Sequence, residues 1–297
     1  MKKISNFKKG FIAVMASFLA VSIIEIVGTL IFREGVSPIT MLGLRAIIAT
    51  LLFGLTVAIS KKISFKIDKK DILRLLLHSS ILVIHLLLFW YGLKAVAHIP
   101  TVLSFCITFP IWAAIISIIF LKEHFSINKF FSILLGGFGT LFVVGFLPAL
   151  SFKYVNVAGI SLISISAIAW AIFWIIGRKL AKKYNIFTIL FYNFLFSAIA
   201  FTIIATPSTM ISQLSVRVLW YIALVSIVST YINYSLYAYG LKFIKLSTAT
   251  IISLARPIVS VSLAFLILSQ FLTFWQGVGT VLIVSGTYLL FRENKDK

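Results

Sequence analysis

The sequence predicts an all-α integral membrane protein, ten transmembrane helices arranged as two five-helix repeats of inverted topology. Three observations lead there. The chain is 61% hydrophobic and 11% charged, with mean hydropathy +1.12, far from the about 45–50% apolar and about 25% charged residues of soluble domains. Apolar runs of about 20 residues recur along it, the length that a roughly 30 Å hydrocarbon core requires. The chain also repeats itself. Tyr91-Gly92-Leu93-Lys94 returns as Tyr239-Gly240-Leu241-Lys242, and at a constant offset of 147 Pro110 matches Pro257, Leu121 matches Leu268, Leu135 matches Leu282, and Gly139-Thr140 match Gly286-Thr287. Glu123 falls opposite Gln270 in the same register.

The ten spans follow in order. The first, about 10–32, is too long for a signal-peptide core, lacks a small-residue cleavage site, and carries Glu25. The second, about 37–59, carries Arg45; the third, about 71–92, carries His85 and ends in Trp90 and Tyr91, the usual place of an aromatic belt. The fourth, about 97–121, holds Pro110 and Cys106, whose solitude rules out an intramolecular disulfide and a multi-cysteine metal site. The fifth, about 126–146, contains Gly136-Gly137-Phe138-Gly139-Thr140. The sixth, about 155–177, has Trp170 and Trp174 on one face. The seventh covers about 186–205. The eighth, about 217–240, presents Tyr231 with Tyr234 and Asn233 with Tyr237 as two adjoining stripes. The ninth, about 245–268, contains Arg256-Pro257, and the tenth, about 272–291, has Gly277, Gly279 and Gly286. These glycines have no preceding strand and no following Lys-Ser or Lys-Thr, so close helix packing explains them better than a phosphate loop. The repeats are residues 10–146 and 155–291, with no soluble domain left over.

A net charge of +20 raises the question of nucleic acid. With the N-terminus inside, 21 of the 27 lysines and arginines fall on the cytoplasmic side, and only Arg33, Lys94, Lys153 and Arg217 fall outside. That is the positive-inside pattern of a multi-pass protein with both termini cytoplasmic. The basic excess is a topology signal, and no nucleic-acid partner is expected. Five spans per half force the second half into the bilayer upside down.

The pattern is similar to the drug/metabolite transporter superfamily, in particular its ten-helix members built from two EamA domains. The resemblance rests on Leu42-Gly43-Leu44-Arg45, on Pro110 through Leu121-Lys122-Glu123, on Gly136-Gly137-Phe138-Gly139, and on Pro257 through Leu268-Ser269-Gln270. The family usually has an acidic residue where this chain has Gln270. The resemblance implies a secondary carrier of small metabolites working by alternating access, and gives Arg45 an architectural role.

Polar residues at membrane depth are costly and face a cavity or a partner. Glu25 and Arg45 lie at similar depth in the outer half. Their two readings are a static ion pair, or a Glu25 that holds a substrate ammonium or a proton. Arg256 lies near the middle of its span, and its repeat partner is Phe109, so the shared scaffold does not demand the charge. A guanidinium there suits a carboxylate or phosphate; a structural pair is the competing reading. Pro257 would open carbonyls one turn earlier. His85 would either relay protons or simply bond a neighbouring helix.

An intramembrane enzyme or a channel finds no support: Glu25, His85 and Cys106 are dispersed, and no filter motif or charged ring is visible. No cofactor or metal is expected. The sequence therefore points to a carrier of an amino acid or related zwitterion, with Arg256, Glu25, Trp170, Trp174, Tyr234, Tyr237, Asn233 and His85 as site residues. Arg45, Pro110, Pro257, Glu123, Gln270, Gly139 and Gly286 are expected to be structural. S-adenosylmethionine or another nucleoside-type metabolite is the alternative substrate. The other expected partners are the lipid bilayer and a coupling proton or counter-substrate, for a monomer or homodimer. Lysine-, isoleucine- and phenylalanine-rich usage points to an AT-rich bacterial genome, and the expected location is the bacterial cytoplasmic membrane.

Overall fold

The computed structural model describes residues 6–96, 125–143, 156–256 and 273–295, with isolated positions between 109 and 122 and at 258–259. Among the described residues all regular structure is helical. The first half contributes α1 (Asn6–Val21), α2 (Ile24–Arg33), α3 (Pro38–Ile59), α4 (Lys69–Val96) and α5 (Ile127–Val143). The second contributes α6 (Val157–Leu180), α7 (Ile186–Ala205), a short α8 (Pro207–Ser212), α9 (Val216–Leu224), a π-helical segment (Val225–Ile232), α10 (Asn233–Gly240), α11 (Leu246–Ile252), a 3-10 turn (Ser253–Ala255) and α12 (Phe274–Lys295). Among the described residues, six runs are long and apolar enough to cross a bilayer: Asn6–Arg33, Pro38–Ile59, Lys69–Val96, Val157–Leu180, Ile186–Ala205 and Val216–Gly240.

Local chemistry sets the helix starts. Ser37 accepts the Thr40 amide at 3.2 Å and Pro38 occupies the first turn of α3, where its missing N–H costs nothing. Asn156 caps α6 through the Gly159 amide, and Asn185 and Ser215 do the same for α7 and α9. The first span was expected to be continuous, but it is broken at Ser22-Ile23 between α1 and α2. The Ser22 hydroxyl donates to the Phe18 carbonyl at 2.6 Å, back-bonding that competes with the helix ladder.

The packing obeys an exchange of halves. Helix α3 packs on α7 and α5 on α12, pairs that exchange into themselves. Helix α4 packs on α6, and its counterpart is α10 on α1. The glycines show the same relation atom by atom. A Cβ on Gly92 would meet Ile163 at 2.8 Å and the Gly159 carbonyl at 2.9 Å; a Cβ on Gly240 would meet Val14 at 2.6 Å and the Gly10 carbonyl at 3.1 Å. Gly92 and Gly240 are the matched glycines of the tetrapeptide repeat. In α5 and α12, Gly139 faces Gly279 and Ile283 while Gly286 faces Ser132 and Gly136, the same set of positions shifted by 147. Small residues let these backbones touch, and dispersion then holds them where lipid supplies no hydrophobic drive.

Most of the fourth span lies outside the described residues, as do Cys106, Pro110, Glu123, Pro257 and Gln270. Trp90 is not the belt residue expected of it. It is fully buried against Gly28, Phe32 and the Arg45 guanidinium, because α4 runs on past it to Val96, whereas Tyr91 is exposed.

Gly139→Ala should lower stability by about 1–3 kcal/mol, since the new methyl would sit 2.6 Å from the Gly279 carbonyl, a backbone atom that cannot turn aside. Gly277→Ala, with nothing within 4 Å of its Cβ, should be neutral or slightly stabilising. Melting temperatures of both variants in the same detergent check the contrast.

Candidate functional site

Between the two halves lies a cavity of about 150 Å3, measured to the centres of water-sized molecules. Both halves line it. Arg45, His85 and Thr140 come from the first; Trp170, Trp174, Ser229, Asn233, Tyr234, Tyr237 and Arg256 come from the second. Phe109 and Arg256, repeat partners in the sequence, face the same space.

One wall is built by α4 and α6. His85 Nδ1 lies 3.0 Å from the Ser166 carbonyl and 3.1 Å from the Ser166 hydroxyl. The His85 ring stacks on Trp170 at 4.5 Å, Trp170 on Phe173 at 5.5 Å, and Phe173 on His78 at 4.2 Å. His78 ends this ladder buried, with Nε2 at 3.0 Å from the Phe173 carbonyl and Nδ1 at 3.1 Å from the Asn193 side chain. Gly177 makes room for it; a Cβ there would lie 2.9 Å from Nε2. Sequence reasoning passed over His78, although it stands seven residues before His85, two helical turns away on the same face.

The facing wall is irregular. The π segment places the Thr230 hydroxyl 3.1 Å from the Val225 carbonyl, five residues back. The same oxygen accepts Arg45 Nε at 2.5 Å, so one hydroxyl ties a loosened backbone to a buried cation. Ser229 donates to the Ala20 carbonyl at 2.9 Å, near the break in the first span, and Asn233 donates to the Ser229 carbonyl at 3.3 Å. These side chains satisfy backbone oxygens that an unbroken ladder would have paired, as membrane depth requires. Tyr237 packs on Trp174 at 4.6 Å and on Phe18 at 5.9 Å; Tyr234 meets Trp170 at 5.5 Å and Phe194 at 5.2 Å.

Of the expected site residues, Arg256, Trp170, Trp174, Tyr234, Tyr237, Asn233 and His85 line this one cavity. The Glu25 side chain lies outside what the structure describes. Two placements differ from expectation. Arg45, assigned to architecture, borders the cavity as well as bonding Thr230, with the Tyr234 ring beside it. Its Nη1, together with Trp174 Nε1 and the Tyr237 hydroxyl, is buried with no hydrogen-bond partner among the described residues. Tyr231, expected on the stripe with Tyr234, instead reaches Thr56 at 2.8 Å and packs on Phe53 at 4.9 Å.

A second cavity, of about 360 Å3, shares Trp174 with the first and is also lined by Arg178, Lys182 and Lys242. Beside it Lys183 contacts Asp68 and Asp71, and hydrogen bonds to these carboxylates and to the Tyr184 side chain hold its ammonium above the usual lysine range. Among the described residues no group of three or more His, Cys, Asp and Glu side chains is arranged to hold a metal ion.

Thr230→Val should destabilise the protein by about 1.5–3 kcal/mol, the worth of a hydrogen bond to a charged group. Thr230→Ser keeps the oxygen and should retain most of that stability. Thermal melting of the pair is the check.

The sequence model of the EamA-like transporter family matches residues 8–145 and 157–292. An uncharacterized transporter from Archaeoglobus fulgidus is 28% identical over 258 residues, covering 86% of this chain and 90% of its own. A second uncharacterized transporter from the same organism is 26% identical over 129 residues, covering 43% and 46%. A crystal structure of 15% sequence identity matches over 97% of this chain and 99% of its own with a TM-score of 0.78, a likeness of fold. Family matches in both halves of an apolar helical chain leave one conclusion: the protein belongs to the EamA-like transporter family of the drug/metabolite transporter superfamily.

Proposed function

We propose that this multi-pass membrane transporter is a secondary-active carrier of an amino acid or related zwitterion, working by alternating access. The observation that carries the reading is a cavity bounded by both halves, in which Arg45 and Arg256 face an aromatic lining. Cavities between repeats are where alternating-access carriers hold substrate. A guanidinium offers a planar fork that fits a carboxylate, and Arg256 is assigned that role. Glu25, in the first turn of α2, is the available group for an amine. Trp174, Tyr234, Tyr237 and Asn233 form the walls.

The ring ladder favours the zwitterion over the nucleoside-type alternative. Trp170 is stacked by His85 and also by Phe173, so the chain's own rings occupy the ring that a nucleobase would use.

In this reading the chain crosses the bacterial cytoplasmic membrane ten times, in two inverted repeats of residues 10–146 and 155–291 with both termini inside. The exchange-related helix contacts and the 21 basic residues assigned to one side support it. Reporter fusions after Lys183 and Lys297 should behave as cytoplasmic and one after Thr209 as external; a cytoplasmic signal at Thr209 would end the ten-span count.

Counterflow in proteoliposomes tests the carrier. Radiolabelled amino acid should accumulate transiently against unlabelled amino acid inside, an exchange that a channel does not give. Arg256→Lys should reduce that uptake by tenfold or more, roughly the 1.4 kcal/mol of a lost bidentate contact, without loss of expression. Glu25→Gln, as a static partner of Arg45, should lower the melting temperature and be rescued by Arg45→Gln. As an amine or proton site it should melt normally and fail to transport.

A further inference from the structure

Among the described residues, ionic contacts bridge the halves at each end of the helix bundle. At one end the segment between α3 and α4 meets the segment between α6 and α7. Lys183 contacts both Asp68 and Asp71, the Tyr184 hydroxyl donates to Asp71 at 2.7 Å, and it accepts the Asp68 amide at 3.2 Å. Arg74 adds a contact to Asp71 at 3.1 Å. At the other end, Arg217 at the start of α9 meets Glu34 just after α2, at 3.1 Å, and Gln213 accepts the Ser37 amide at 3.0 Å.

The two ends are the same contact seen twice. Glu34 and Lys183 are 149 residues apart, as are Asp68 and Arg217, and as are Gly10 and Gly159 of the exchanged helix crossings. Exchanging the halves carries the Asp68–Lys183 pair onto the Arg217–Glu34 pair with the charges reversed. In both, the first half supplies the acid and the second the base.

We propose that these pairs are the two latches of the transport cycle: Asp68–Asp71–Lys183–Tyr184 closes the end read as cytoplasmic, and Glu34–Arg217 closes the other. The inference rests on the carrier reading above. Both latches are made in this structure, and opening either mouth around a central cavity separates the halves at one end only, so each open state keeps one latch and gives up the other. They are not equal. The Lys183 latch has several partners and includes the buried Asp71, whereas the Glu34 latch is a single exposed ion pair. A lone exposed pair is worth little and a network more, so at rest the mouth at Glu34 opens more readily.

The test reads access to the cavity and needs no substrate. In the full-length protein with Cys106→Ser, a cysteine replaces Ala167, which lines the cavity. An impermeant maleimide is applied to spheroplasts and to inverted membrane vesicles, which expose opposite faces. Without latch changes, labelling should be faster in spheroplasts, the Glu34 side. Lys183→Gln should raise labelling in inverted vesicles by about two- to fivefold, and Arg217→Gln should do so in spheroplasts, the range an exposed pair commands. Lys183→Arg, and the swap Glu34→Arg with Arg217→Glu, should return the rates to their starting values, which separates a latch from a folding defect. Unchanged rates, or both variants opening the same face, overturn the latches while leaving the carrier intact. Fast labelling from both faces at once in the unmodified background would overturn the carrier reading itself.

Discussion

The close approach of backbones at Gly92–Gly159, and again at Gly10–Gly240, is the constraint on which the rest of the molecule depends. Helices that touch through glycine cannot be pushed apart by a side chain at the crossing, so their direction away from it is fixed. Leaving the first crossing, α4 and α6 bring His85 against Ser166 and then His78 against Phe173. Leaving the second, α1 meets Tyr237 of α10 through Phe18, and then Ser229 of the π segment through the Ala20 carbonyl. The cavity is the space between these two pairs, and its lining follows from where the crossings sit. The crossings at Gly139 and Gly286 fasten α5 to α12 by the same means.

Much of this was legible in the chain. A repeat read from matched glycines points to matched packing, because glycine at a helix crossing is selected by shape alone. Trp170, Trp174, Tyr234, Tyr237 and Arg256 stood out because bulky aromatic groups and a charge at membrane depth have few favourable places. What stayed hidden has physical causes. Periodicity assumes 3.6 residues per turn, so a π segment is invisible to it. Depth along a span does not give direction around it, which is why Trp90 was read as a belt residue and Arg45 as scaffold only. The break at Ser22-Ile23 has neither proline nor glycine to mark it, and the Ser229 hydroxyl that meets the Ala20 carbonyl beside it lies 209 positions away along the chain.

The two helix pairs that enclose the cavity are counterparts in the exchange, yet they are not alike. The α4–α6 pair consists of unbroken helices of 28 and 24 residues, braced by the His78–Phe173–Trp170–His85 ladder. Its counterpart pairs the broken first span with a helix interrupted by a π segment. There the backbone oxygens of Ala20 and Val225 are met by the hydroxyls of Ser229 and Thr230. A hydroxyl that rotates can release one carbonyl and take another at small cost, whereas shearing a regular helix inside a bilayer leaves backbone groups unpaired at several kcal/mol each. In the alternating cycle proposed above, the irregular pair is therefore the side that can change shape, and the laddered pair is the wall it works against. Arg45 sits where the two meet. Its Nε is bound to Thr230 of the π segment, its guanidinium lies 6.0 Å from the Trp90 ring on α4, and its Nη1 is buried at the cavity without a partner among the described residues. A ligand that engaged Arg45 would act on Thr230, and through it on a stretch of backbone whose hydrogen bonds are already irregular.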